Sequence, residues 1–196
     1  MLNIWKNSNE ISGNGIDDDQ NGYIDDIRGW NFVNNTNDPY DDNNHGTHVA
    51  GTIGAVNGNH LGTIGVSPQV TLMVCKFLDS KGRGTLSDAI KAINYAVTHG
   101  AKILNNSWGG RGYSKALLDT IKAVEQLGVL FVAAAGNDGI NTDTDPVYPA
   151  AFDADNIISV AATDRYDERA SFSNIGKVSV DLGAPGVGVY SLFPRN

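Results

Sequence analysis

Hydrophobic and polar positions alternate in blocks from residue 70 onward. "VTLMVCKF" (70–77) is rich in β-branched and apolar residues and predicts a strand. "TLSDAIKAINYAVTHG" (85–100) follows with Thr85 and Asp88 in capping-box spacing, and Gly100 ends it. Its Leu86, Ala89, Ile90, Ile93 and Val97 fall on one helical face. "AKILNNS" (101–107) predicts a second strand, and "SKALLDTIKAVEQLG" (114–128) a second helix with Leu117, Ile121 and Val124 inward. "VLFVAAAG" (129–136), "NIISVAAT" (156–163) and "VSVDLGAP" (178–185) predict three more strands. Nearly all-apolar strands alternating with helices imply an α/β domain with a mostly parallel sheet covered on both faces.

Residues 1–44 differ in kind, being rich in Asn, Asp and Gly with little periodicity. A bare loop of that length is uncommon in a compact domain unless something organises it. The charge distribution points to what that is. The chain has 196 residues and a net charge of −8. Residues 1–44 hold nine acids against Lys6 and Arg28, while the remainder is close to neutral. This sign argues against nucleic acid and suits cations, calcium first.

Within the acidic region, "DDDQNGYIDD" (17–26) places Asp17, Asp19 and Asn21 at alternate positions before Gly22. That is the opening of an EF-hand-like loop. The carbonyl of Tyr23 and the carboxylate of Asp25 would continue the ligand series. Arg28 stands where a closing Glu is expected, so Asp26 or a distant group must complete the shell. A second, weaker candidate is "VNGNHLGT" (56–63), where Asn59 and turn carbonyls could hold an ion.

His45 and His48 head the small-residue run "HGTHVAGTIGA" (45–55). Three apart, without an intervening Glu, they do not fit a zinc-protease helix. The lone Cys75 rules out an internal disulfide and reads as a buried thiol in a strand. No apolar run is long enough to span a membrane. The N-terminal "MLNIWKNSNE" lacks the basic and apolar regions of a signal peptide. In "LFVAAAGND", a buried strand ends in small residues, presenting the Asn137 amide at the carboxyl edge of the sheet. Open α/β sheets bind ligands at that edge.

Five ordered motifs, "HGTHVAGTIGA", "KILNNSWGG", "VLFVAAAGNDG", "RASFSNIG" and "DLGAPG", resemble those of subtilisin-like serine proteases over essentially the whole chain. The resemblance implies a three-layer subtilisin-like fold with helices on both sides of the sheet. It implies that residues 1–196 are part of one catalytic domain, an acidic insert (1–44) followed by an α/β core (45–196). It implies secretion and a polypeptide substrate, with a pro-segment or the missing parts of the same domain as a further partner. It casts His45 as general base, His48 as its helical support and Asn137 as oxyanion-hole donor. Ser107, Trp108 and Gly109, with Ala135 and Gly136, would wall the P1 pocket. Gly82, Arg83 and Gly84 would lie along the edge where extended substrate pairs. Val56, Asn59, Leu61 and Thr63 would form a calcium site.

Two family elements have no counterpart here. No strand in 1–44 ends in a D-[ST]-G turn, and no G-T-S motif follows "APG". Ser191 lacks glycine flanks and is not the nucleophile. The fold is therefore expected to be incomplete, with the first catalytic strand and the nucleophile helix missing and apolar sheet surface left bare. The expectation is a fragment of a calcium-dependent serine endopeptidase, inactive by itself. The alternatives are a non-catalytic calcium-stabilised peptide-binding relative, or one piece of an assembly completed by another chain.

Overall fold

The computed structural model describes residues 3–194, which form two compact units. The first comprises residues 3–96 with 190–194, and the second Val97–Val189. The acidic first quarter belongs to the same unit as the two histidines.

In the first unit, strand β1 (Gly29–Asn31) pairs in parallel with β2 (Val74–Lys76), Trp30 opposite Cys75. β1 is only three residues long, too short to show alternation, and the sequence pattern did not predict it. The strand expected over 70–77 is likewise shortened. Leu72 instead exchanges backbone hydrogen bonds with Asn3 and Trp5, both 2.8 Å. Trp30, Phe32, Ala92 and Tyr95 form a buried cluster, with Trp5, Tyr23, Met73, Cys75 and Phe77 packed against it. Tyr23 meets Trp30 and Tyr95 edge-on, each at 5.0 Å between ring centroids. Each fully buried aromatic ring of this kind contributes roughly 1.5–3 kcal/mol. Burial pushes the Cys75 thiol up to about 12, so it is inert at neutral pH.

Helix α1 (His45–Gly54) begins at the first histidine. A Cβ on Gly51 would lie 2.5 Å from Ser191 Oγ and 2.9 Å from Leu192 Cβ, so it is the 191–192 segment that needs the glycine. Helix α2 (Leu86–Thr98) starts as its capping box predicts: Asp88 N–H donates to Thr85 Oγ (3.0 Å). Its buried stripe is Ala89, Ala92, Ile93, Tyr95 and Ala96, whereas Leu86 is exposed.

The second unit is built on a four-stranded all-parallel sheet of β3 (Ile103–Asn106), β4 (Leu130–Ala134), β5 (Ile157–Thr163) and β6 (Leu182–Pro185), in that spatial order. Helix α3 (Lys115–Glu125) is capped by Ser114, whose hydroxyl accepts the Leu117 N–H. It buries Leu117, Ile121 and Val124, as its periodicity predicts. β6 starts later than expected because the N–H groups of Lys177, Val178 and Ser179 are taken by the Asp143 carboxylate and cannot join a ladder. By register, Ile103, Leu130 and Leu182 share one face of the sheet. They are 61%, 43% and 48% exposed.

Candidate active site

His45 is the first residue of α1 and is exposed. The residue before it, Asn44, has φ 89° and makes no side-chain cap. Asp41 supplies the cap instead. Its carboxylate accepts the N–H groups of Asn43 and Asn44 (both 3.0 Å) and of Thr47 (2.7 Å). Burial works against the Asp41 carboxylate, but the hydroxyl and N–H of Thr47 and the two asparagine N–H groups outweigh it and hold its pKa below the ordinary value. His48 is partly buried; its ring meets Phe193 edge-on at 5.8 Å and its carbonyl accepts Ser191 Oγ at 2.5 Å. Ser191 is thus engaged as a helix-packing residue.

In the second unit, β4 runs out at Ala134 and the chain turns sharply through Gly136 (φ 107°) and Gly139 (φ 68°). Asn137 is exposed between them. A cleft of about 200 Å³ opens here, lined by Ser107, Trp108, Gly109, Gly110, Arg111, Ala134, Gly136, Asn137, Asp138 and Val147. That volume suits one side chain rather than a drug-sized ligand, which needs about 300 Å³ or more. Gly110 and Tyr148 exchange two 2.8 Å backbone hydrogen bonds beside it. Arg111 pairs with Asp145 and, at 3.5 Å, with Asp138. Of the residues expected to wall a P1 pocket, Ser107, Trp108, Gly109 and Gly136 line this cleft. Ala135 does not: strand alternation turns it inward, 1% exposed, and Ala134 takes the wall position.

Gly82, Arg83 and Gly84 lie in an exposed turn in the first unit. Asp79 organises it by accepting the N–H groups of Lys81 (2.8 Å) and Arg83 (2.9 Å). A Cβ on Gly84 would sit 2.3 Å from the Phe77 carbonyl, so this position requires glycine.

The acidic loop folds differently from a simple EF-hand-like ligand series. Glu10, Asp19 and Asp26 bring carboxylate oxygens within 4.8 Å of one another. Asp26 is fully buried, accepting from Asn7 (2.8 Å), Asn21 (3.1 Å) and Tyr95 (2.6 Å). Glu10 is also buried and accepts the N–H groups of Asp18, Asp19 and Asp25. Glu10 was missed because it lies outside the 17–26 motif; only the folded loop brings it in. One expected ligand points elsewhere. Asp25, at φ 56°, turns its carboxylate onto the N–H groups of Gly13, Asn14 and Gly15. Asp17 stays beside the group: it accepts from Gly22 and shares the Asn21 N–H with Asp19. Asn21 joins the Asp26 group through its amide, and the Tyr23 ring lies in the aromatic core. In the 56–63 loop, Asn59 Oδ1 accepts the Leu61 N–H at 3.0 Å, and Val56 and Thr63 are partly buried.

Residues 3–194 match the family model described as Subtilase family. The chain belongs to the subtilase family. Subtilisin-like protease 1 of Plasmodium berghei (strain Anka) is 38% identical over 212 residues, covering 98% of this chain and 35% of that protein. Thermitase of Thermoactinomyces vulgaris is 40% identical over 170 residues, covering 87% of this chain and 59% of that protein. Among solved structures, a cold adapted subtilisin-like serine proteinase is similar at a TM-score of 0.74 and 36% identity, covering 84% of this chain and 57% of that one. This subtilase chain therefore spans about a third to six tenths of the curated relatives, and its fold is the subtilisin-like α/β fold.

Proposed function

We propose that this subtilase chain supplies the general base and an oxyanion donor to a serine endopeptidase that cleaves polypeptides through an acyl-enzyme. In this reading His45 takes a proton from a serine hydroxyl and returns it to the leaving amine. The Asn137 amide hydrogen-bonds the oxyanion of the tetrahedral intermediate, which is worth roughly 10²–10³ in kcat. The P1 side chain enters the cleft beside Trp108 and Gly136, and the substrate backbone lies extended along 82–84. The observation that carries the reading is the exposed Asn137 amide bordering a side-chain-sized cleft at the carboxyl end of β4.

None of the serines in these 196 residues has the glycine-flanked setting of the family nucleophile. By themselves, then, these residues are proposed to be inactive. The test is incubation of the 196-residue chain with a fluorophosphonate and with a peptide substrate. Neither covalent labelling nor turnover is expected; labelling at any serine contradicts the proposal.

Calcium is proposed as the structural cofactor of the acidic loop. The fit rests on the convergence of Glu10, Asp19 and Asp26 within 4.8 Å, three carboxylates whose mutual repulsion a hard divalent cation relieves. Bound there, calcium would cross-link the 10–26 segment to itself and, through Asp26 and Tyr95, to α2. Val56, Asn59, Leu61 and Thr63 form the second proposed site. Secretion, where calcium is abundant, is proposed on the same grounds. No helix among the described residues is long and apolar enough to cross a membrane.

A further inference from the structure

We propose that Asn174 is the positioning residue for Asn137, an inference that rests on Asn137 being the oxyanion donor. Asn174 is completely buried, and its side-chain oxygen, side-chain nitrogen and backbone N–H all reach the turn that carries Asn137. Its Oδ1 accepts the N–H groups of Asp138 (2.9 Å) and Ile140 (3.2 Å). Its Nδ2 donates to the carbonyl of Ala135 (2.8 Å), and its backbone N–H donates to the carbonyl of Gly136 (3.0 Å). The four bonds grip the chain on both sides of Asn137 and leave that residue projecting. One planar amide with a fixed donor and acceptor thus sets the path of a turn that has glycines at Gly136 and Gly139.

The contact also explains Gly136. A Cβ there would lie 2.3 Å from Asn174 Nδ2, and the backbone has φ 107°. Glycine and the buried amide are therefore one device. The amide's own backbone is anchored from behind. The Ser173 hydroxyl donates to the Asn174 carbonyl (3.1 Å) and accepts the Ala162 N–H of β5 (2.8 Å). The turn is in this way registered to the sheet. A donor that acts only on developing charge must be in place beforehand, and a displacement of about 1 Å can cost roughly 10²-fold in rate.

The test has two arms. In the ¹⁵N-labelled 196-residue chain, Asn174→Ala is expected to speed amide exchange of Asp138 and Ile140 at least tenfold and to lower the order of the Asn137 side-chain amide, with β4 amides unaffected. Unchanged exchange at Asp138 and Ile140 overturns the clamp. Asn174→Asp keeps the acceptor for those two N–H groups and should retain their protection if the alanine variant fails to fold. In the protein as its gene encodes it, Asn174→Ala should lower kcat roughly 10–100-fold with KM unchanged. In an Asn137→Ala background it should lower kcat no further. A raised KM at constant kcat, or multiplicative losses in the double variant, overturns the positioning role. If Asn137→Ala alone leaves kcat unchanged, the oxyanion reading fails, and the exchange arm shows separately whether the clamp exists.

Discussion

The phenol of Tyr95 on α2 donates a 2.6 Å hydrogen bond to the fully buried carboxylate of Asp26. This single contact ties a helix of the core to the acidic loop, across 69 residues of sequence. Burial, reinforced by the Asp26 charge, pushes the Tyr95 phenol above its ordinary value, so it remains a donor at any working pH. Tyr95→Phe leaves a buried charge short of one donor and should destabilise the chain by about 1.5–3 kcal/mol. Urea denaturation at neutral pH with a chelator present reads this directly.

Asp41 sets the start of α1 and therefore the place of His45. Asp41→Ala removes the acceptor for three N–H groups and should cost about 1 kcal/mol, as loss of a helix cap does. Because the Asp41 pKa is lowered on folding, its contribution is present above the ordinary 3.8 and fades as the pH falls below it. The difference in melting temperature between wild type and Asp41→Ala should accordingly shrink on acidification.

Asp143 fastens the 177–179 segment. The Ser179 hydroxyl and N–H, with the N–H groups of Lys177 and Val178, outweigh burial and bring its pKa from the ordinary 3.8 to about 2. A carboxylate depressed in this way stabilises the fold fully above 3.8 and loses that contribution as the pH falls towards about 2. Carboxyl NMR titration of Ser179→Ala should show the Asp143 pKa moving back up. No movement would mean that the hydroxyl bond is not what holds it.

For calcium, the folded arrangement and the linear motif make different forecasts. Glu10→Gln should weaken calcium binding by about tenfold or more, whereas Asp25→Asn should leave the affinity within about threefold, since Asp25 faces Gly13–Gly15. The expected factor is of the order lost when a supporting group of a metal site is removed. Isothermal titration on the two variants separates them; equal losses would restore Asp25 to the ligand set.

Long periodic segments were legible in the sequence. α3 buries the three residues its pattern names, because one amphipathic face is all its packing needs. On α2, Leu86 falls on the apolar face but is exposed: it is the helix's first residue, and burial begins at Ala89 and continues through Ala92 and Ile93. β1 escaped notice because a three-residue strand shows no period, and Trp30 is buried by aromatic neighbours from distant segments. The family motifs marked His45 and Asn137. The residues that organise the sites, Glu10, Asp41 and Asn174, carry no local signal of that role. Each acts on N–H groups of its own or another loop, through turns whose geometry a linear pattern does not encode.

The central claim is that His45 and Asn137 act on one reaction. It is tested most directly by kcat and KM for a peptide substrate, measured on the protein as its gene encodes it with His45→Ala and with Asn137→Ala. The account predicts that His45→Ala removes serine-dependent turnover and that Asn137→Ala lowers kcat by roughly 10²–10³ with little change in KM. Turnover that survives both substitutions at its original kcat would contradict it.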